Sequence, residues 1–257
     1  RWPSSNPSRD SLPEILPEIL VFAAIVLAAF IGFTMAGMAG FGGGMATLPV
    51  LVWAFGIREA IPLLAITQIL GSISRAWFTR EDISWPVVKW FTLGALPPAA
   101  LGSLLFVAIP TTILVRVLGV ALILLVVLPQ IPRAPRVRMT LRGFAPIGAT
   151  AGFLSAVLGI PGPFYAPFYL AYGLSPRSYI GTSSVGMLLV QIPKLAVFGS
   201  NGLLDAHTVS VGVAVGMVAF FASYVGQRIL RLMPQRLFPI LINVMLIAVG
   251  VLFAVRG

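Results

Sequence analysis

The chain has no cysteine, so it cannot build a disulfide framework, a thiolate metal site or a redox pair. Its single histidine, His207, cannot make a histidine metal cluster, and no cofactor is expected. There is no GxxxxGK phosphate loop, which excludes an internal ATPase. Charge is also scarce. Only 9% of the 257 residues are Asp, Glu, Lys or Arg, against about 25% in soluble domains, and a water-soluble globule is excluded. No Asp or Glu falls in the middle of an apolar run, so the carboxylate relay used by many proton-coupled pumps is missing. Ser183 lies far from His207 along the chain, and a Ser–His intramembrane hydrolase has no nucleophile–base pair to rest on. The expectation is a protein that is not an enzyme.

What remains is apolar: 58% of the residues are hydrophobic. The 17 basic and 7 acidic residues leave a net charge of +10, which in a soluble protein would point to nucleic acid. Here the basic residues sit in short runs between apolar stretches, so they read as membrane orientation with the lipid bilayer as partner and no nucleic acid. Apolar runs fall at 15–39, 43–56, 60–78, 87–108, 112–129, 144–159, 163–173, 177–199, 207–226 and 236–255. The runs 43–56 and 163–173 would reach about 21 and 17 Å as helices, short of a hydrocarbon core of roughly 30 Å. The first segment, RWPSSNPSRDSLPE, has no basic n-region or small-residue cleavage site. The run after it is read as a retained span.

The chain repeats itself. GFTMAGMAGFGGGMATLPVLVWAFGI at 32–57 lays over GFLSAVLGIPGPFYAPFYLAYGL at 152–174, pairing Gly32 with Gly152, Gly40 with Gly159, Gly43 with Gly162, Pro49 with Pro167 and Gly56 with Gly173. Further on, Arg75 falls on Lys194. The expected fold is an all-α polytopic membrane protein, an inverted repeat of two five-segment halves, each a broken hairpin followed by three transmembrane helices. The first repeat spans 1–129, with a tail 1–14, a hairpin 15–56 and spans 60–78, 87–108 and 112–129. A basic cytoplasmic linker follows at 130–143. The second repeat spans 144–257, with a hairpin 144–173 and spans 177–199, 207–226 and 236–255.

An odd number of net crossings per half requires the halves to be inverted, and the charges agree. With the linker 130–142 cytoplasmic and both termini outside, ten basic residues lie inside: Arg80, Lys89, Arg133, Arg136, Arg138, Arg142, Arg177, Arg228, Arg231 and Arg236. Five lie outside: Arg1, Arg9, Arg58, Arg116 and Arg256. The positive-inside rule is obeyed.

The turn MAGFGGGMATLP is the sharpest local feature. Gly40, Gly42, Gly43 and Gly44 allow a non-helical backbone, tolerated inside a bilayer only where protein or a cavity surrounds it. The helix that follows offers free N–H groups and the positive end of its dipole to an anion. In the second half LGIPGPFYAPF plays this part, with donors expected near Gly162, Phe164 and Tyr165. The alternative is tight packing, since Gly40 and Gly44 also have GxxxG spacing. Arg75 and Lys194, the two basic residues outside the loop tally, are expected to face the anion, with snorkelling to headgroups as the competing reading. Gln68, Ser72 and Ser74, and Ser183, Ser184, Met187 and Gln191, lie one or two turns away and would continue the path. Each hydroxyl, and Asn243, taken alone reads as structural.

The turn GMAGFGGGMATLPVL, the matching GFLSAVLGIPGPFYAPF, and the GTSS of Gly181–Ser184 after Gly173 and Arg177 resemble the TauE/SafE family of sulfite exporters. The resemblance covers nearly the whole chain and implies a bacterial-type inner-membrane permease for sulfite, organosulfonates and related sulfur oxyanions. In the second turn Pro161 and Pro163 depart from a glycine-richer run and remove two N–H donors. The combined reading is an exporter of a small sulfur-containing anion, with the site between the two broken hairpins. A cytoplasm-negative potential favours anion exit by about 2.3 kcal/mol per charge per 100 mV. Coupled uptake of a sulfonate or other small anion, and a non-transporting membrane assembly or intramembrane enzyme scaffold, are the alternatives. This reading is compatible with a homo-oligomer.

Overall fold

The computed structural model describes residues 12–116 and 139–232. The expected span 236–255, most of the span 112–129, most of the linker and Asn243 lie outside the described residues. Within them all regular structure is helical: α1 (Leu12–Ala39), α2 (Gly43–Phe55), α3 (Ile57–Phe78), α4 (Trp85–Ala108), α5 (Phe144–Leu158), α6 (Gly162–Ala171), α7 (Pro176–Ser200) and α8 (Ala206–Leu232). Short 3-10 turns at Arg80–Asp82 and Leu141–Gly143 precede α4 and α5. Among the described residues six helical segments are long and apolar enough to cross a membrane, from Ile19–Ala39 to Ala206–Leu232. With 13 and 10 residues, α2 and α6 are not; they reach about 20 and 15 Å. The chain is an all-α polytopic membrane protein. The boundaries shift by up to three residues elsewhere and most at α8, which runs past 226 to Leu232, so Arg228 and Arg231 sit on the helix. Arg228 Nε donates to the Tyr224 hydroxyl at 2.8 Å, and the long side chain carries the charge past the apolar surface.

Glycine sets the breaks. Gly40 (φ 79°) ends α1 and Gly159 (φ 73°) ends α5; each donates its N–H four residues back, to Ala36 O at 2.8 Å and Ser155 O at 3.0 Å. These are the left-handed positions where a Cβ is costly. Gly43 and Gly162 then open α2 and α6. The breaks therefore fall at glycines that pair in the sequence overlay, Gly40 with Gly159 and Gly43 with Gly162.

The start of α7 lies beside the end of α3. Arg177 pairs with Asp82 at 3.2 Å, and the Ser84 N–H donates to Thr182 Oγ1 at 2.9 Å. The hairpin α1–α2 leads into the start of α3, and α5–α6 into the start of α7, so they open at opposite ends of the bundle. Both turns stop halfway along α3: a methyl on Gly44 would come within 2.9 Å of Gln68 Nε2 and 3.1 Å of the Gly159 carbonyl, and one on Gly159 within 3.1 Å of Leu64.

Glycine also sets how closely the helices approach. Methyl groups at Gly148 and Gly152 of α5 would overlap the Phe91 and Ala95 carbonyls of α4, and methyls at Gly37 of α1 and Gly226 of α8 would overlap the Ser223 and Thr34 carbonyls. Small residues at such faces let backbones meet where no hydrophobic effect drives association. Overpacking costs about 1–3 kcal/mol where side chains can yield, and a backbone carbonyl yields less. Gly148→Val is expected to lose its monodisperse peak in detergent, while Gly199→Ala, whose methyl would meet only Leu204 at 3.5 Å, keeps it. Size-exclusion chromatography of both variants checks this.

The two ends differ in charge. Around the end of α3 and the starts of α4 and α7 gather Arg80, Lys89, Arg177 and Arg231, with Arg142 over the Trp90 ring at 5.9 Å. At the other end Arg58 Nη1 donates to the Val107 carbonyl at 2.8 Å, satisfying the last turn of α4. His207 Nδ1 there meets Glu59 Oε1 at 2.8 Å. Asp205 Oδ1 accepts from the Thr208 N–H at 2.7 Å as a cap for α8, and this bond holds its carboxyl below the usual range.

Candidate functional site

The two turns meet at a cavity of about 50 Å³ in the middle of the bundle. One water needs about 10–15 Å³ by this measure, so the space suits a few waters or one small anion. Gly40 and Gly42–Gly44 line it from the first hairpin, and Gly159–Gly162 from the second. Gln68, Ser72 and Arg75, on successive turns of α3, form its polar wall, and Tyr165 of α6 adds to it. Phe33, Ala36, Phe41, Ile160 and Met187 make an apolar wall.

Arg75 is 6% exposed, and its guanidinium is held from three sides: Nε donates to Ser184 Oγ at 3.0 Å, Nη1 to Ser223 Oγ at 3.3 Å and Nη2 to Ser72 Oγ at 2.9 Å. All three acceptors are neutral. The two ion pairs among the described residues, Arg177–Asp82 and His207–Glu59, do not include it. Hydroxyls satisfy N–H groups but not the charge, and a buried unpaired charge costs several kcal/mol. Three bonds also leave two of the five guanidinium donors for an anion.

The helix termini add to this field. The first intrahelical bond of α2 runs from the Ala46 N–H to the Gly42 carbonyl at 3.1 Å, and no side chain caps the helix. The N–H groups of Gly43 and Gly44 are therefore open at the cavity wall, with the positive end of the helix dipole. The second hairpin offers less: Phe164 donates to the Pro161 carbonyl at 3.1 Å, and Pro163 has no N–H. Gln68 ties α3 to the second hairpin and to α7, since Nε2 donates to the Gly159 carbonyl at 2.8 Å and Oε1 accepts from Gln191 Nε2 at 2.8 Å.

Of the residues picked from sequence, Gly42, Gly43, Gly44, Gln68, Ser72, Arg75, Gly162 and Tyr165 line the cavity. Ser184 and Gln191 reach it through Arg75 and Gln68. Ser183 instead donates to its own helix, at Ile180 O (3.3 Å), and Phe164 stacks on Phe168 with centroids 5.8 Å apart. Lys194 is 1% exposed and lies off the cavity wall, with Nζ donating to Ser155 Oγ of α5 at 3.1 Å. Sequence reasoning missed Phe33, Ala36, Phe41 and Ile160, apolar residues in apolar helices that nothing local sets apart. Phe33 matters most: methyls on Gly43 and on Gly71 would each come within 2.7 Å of its ring, so the phenyl is wedged between the first turn and α3. Its carbonyl also accepts from Ser223 Oγ at 3.4 Å, one of the groups that holds Arg75.

No curated protein and no solved structure matches the chain. The model of a family described as sulfite exporter TauE/SafE matches residues 24–253. With that match over nearly its whole length and six helices among the described residues able to span a bilayer, the chain belongs to the TauE/SafE family, a family of membrane anion transporters and not of enzymes.

Proposed function

We propose that the protein exports a small sulfur-containing anion, of sulfite or organosulfonate type, through the cavity between its two broken hairpins. The observation that carries this reading is the Arg75 guanidinium, buried at the cavity wall with only hydroxyl acceptors. A bound oxyanion supplies the missing negative charge and accepts from the Gly43 and Gly44 N–H groups. The transport family supports the class of cargo. The chain is read as an inverted repeat divided at about 130–143, a division supported by the antiparallel α3 and α7 and by hairpins that open at opposite ends. The basic end, with Arg80, Lys89, Arg142, Arg177 and Arg231, is assigned to the cytoplasm of a bacterial inner membrane and the Glu59–His207 end to the outside. A single cysteine at Arg177 should then be shielded from impermeant reagent in intact cells, and one at Asp205 should react.

In this orientation the membrane potential drives the anion outward with no coupling ion. Purified protein in liposomes tests the function. Sulfite or a small sulfonate should leave faster under an imposed inside-negative potential, and sulfate and a carboxylate more slowly than either. Flux that requires a sodium or proton gradient would replace export with coupled uptake. No flux of any of the four would leave a non-transporting assembly.

A further inference from the structure

We infer that the basic end of the bundle holds a site for the phosphodiester headgroup of an anionic phospholipid, in a cleft between α3 and α8 separate from the central cavity. The cleft has a volume of about 280 Å³ and is walled by Trp77, Phe78, Arg80, Glu81, Arg177 and Arg231. Its three guanidinium groups come from three different elements: the 3-10 turn after α3, the first turn of α7 and the last turn of α8. Arg177 is committed to Asp82 at 3.2 Å. Among the described residues Arg231 gives one long bond, from Nη2 to the Phe78 carbonyl at 3.5 Å, and Arg80 lies over the Trp77 ring at 5.1 Å. Both keep fork edges for phosphate oxygens, the geometry in which arginine binds phosphate most strongly. Glu81 on the same wall limits the positive excess, which fits a singly charged phosphodiester better than a dianion.

The surface below the cleft fits acyl chains. Ile73 and Trp77, one turn apart on α3, are 38% and 61% exposed. On α8, Phe221, Val225, Ile229 and Leu232 continue an exposed apolar strip that ends at 87% for Leu232. The two helices are in direct contact, with Ser74 Oγ donating to the Phe220 carbonyl at 2.8 Å. Their outer faces therefore form one groove that leads up to the arginines. An indole beside the cleft is the side chain that prefers the headgroup level, and basic pockets between helices at the cytoplasmic surface hold acidic headgroups. A free oxyanion would use the arginines but not the strip. Arg75 does not line this cleft.

The test uses the full-length chain in detergent and in nanodiscs of phosphatidylglycerol or phosphatidylcholine. Native mass spectrometry should show phosphatidylglycerol retained over phosphatidylcholine, and the acidic lipid should raise the melting temperature. Arg80→Gln with Arg231→Gln should cut the preference by about fivefold per arginine removed. Arg228→Gln, whose side chain bonds Tyr224 and lies off the cleft wall, should leave it intact. Equal retention of the two lipids by the unaltered chain, which needs no variant, overturns the site, as does an unchanged preference in the double variant. Dihexanoyl phosphatidylglycerol should displace the bound lipid and inorganic phosphate should not. Displacement by phosphate at the same concentration would show that the cleft takes free anions and overturn the lipid assignment.

Discussion

Arg75→Gln is expected to weaken anion affinity by about 10- to 100-fold, the factor that hydrogen bonds to a charged group represent at about 1.5–3 kcal/mol. The same substitution should leave the melting temperature of the empty protein unchanged or higher. It removes a buried charge that the described carboxylates do not balance, and glutamine can still donate to one of Ser72, Ser184 and Ser223. A purely structural arginine would behave in the opposite way, because the loss of three buried hydrogen bonds would destabilise the empty protein and leave the affinity of the folded fraction intact. Thermal melts with and without sulfite separate the two cases: the stabilisation by sulfite should vanish in Arg75→Gln. Arg75→Lys should fall between, since it keeps the charge and loses the planar fork. Lys194→Gln should leave affinity from the cytoplasmic face unchanged, because Lys194 sits off the cavity wall against Ser155.

Gly43→Leu should abolish flux in liposomes while the protein still inserts and purifies. The first carbon of the new side chain would come within 2.7 Å of the Phe33 ring, and the rest would enter a cavity of only about 50 Å³. It would also cover the open N–H groups of α2. Gly43→Ala is the finer probe, because its single methyl meets the phenyl first; the three nearest atoms all belong to Phe33. Phe33→Leu should therefore rescue part of the flux lost in Gly43→Ala, with a coupling of about 0.5–3 kcal/mol between the two positions. Independent, additive losses in that double-mutant cycle would show that Phe33 does not set the space at the turn. Normal flux in Gly43→Leu would show that the glycine turn serves helix packing alone.

The features legible in the sequence were those with a local physical cause. Scarcity of charge and long apolar runs called for a membrane, because a buried charge is costly and a span needs about 20 apolar residues. The aligned glycines marked where the helices break: only a residue without a Cβ takes the left-handed turns at Gly40 and Gly159 at low cost. Arg75 stood out for the same kind of reason, as a cation in an apolar run. Other properties depend on groups far apart along the chain. Gln68 and Gly159 bond across 91 positions, and Arg75 and Ser184 across 109. No local pattern distinguishes Ser184, which holds the guanidinium, from Ser183, which bonds its own helix. The equivalence of Arg75 and Lys194 was likewise only a matter of alignment, and packing set one at the cavity wall and the other against α5. Composition and backbone preference belong to each segment alone and determined the membrane class and the broken helices. Which side chains share the central cavity was decided only by tertiary packing, because it depends on helix faces far apart along the chain that meet only when the bundle assembles.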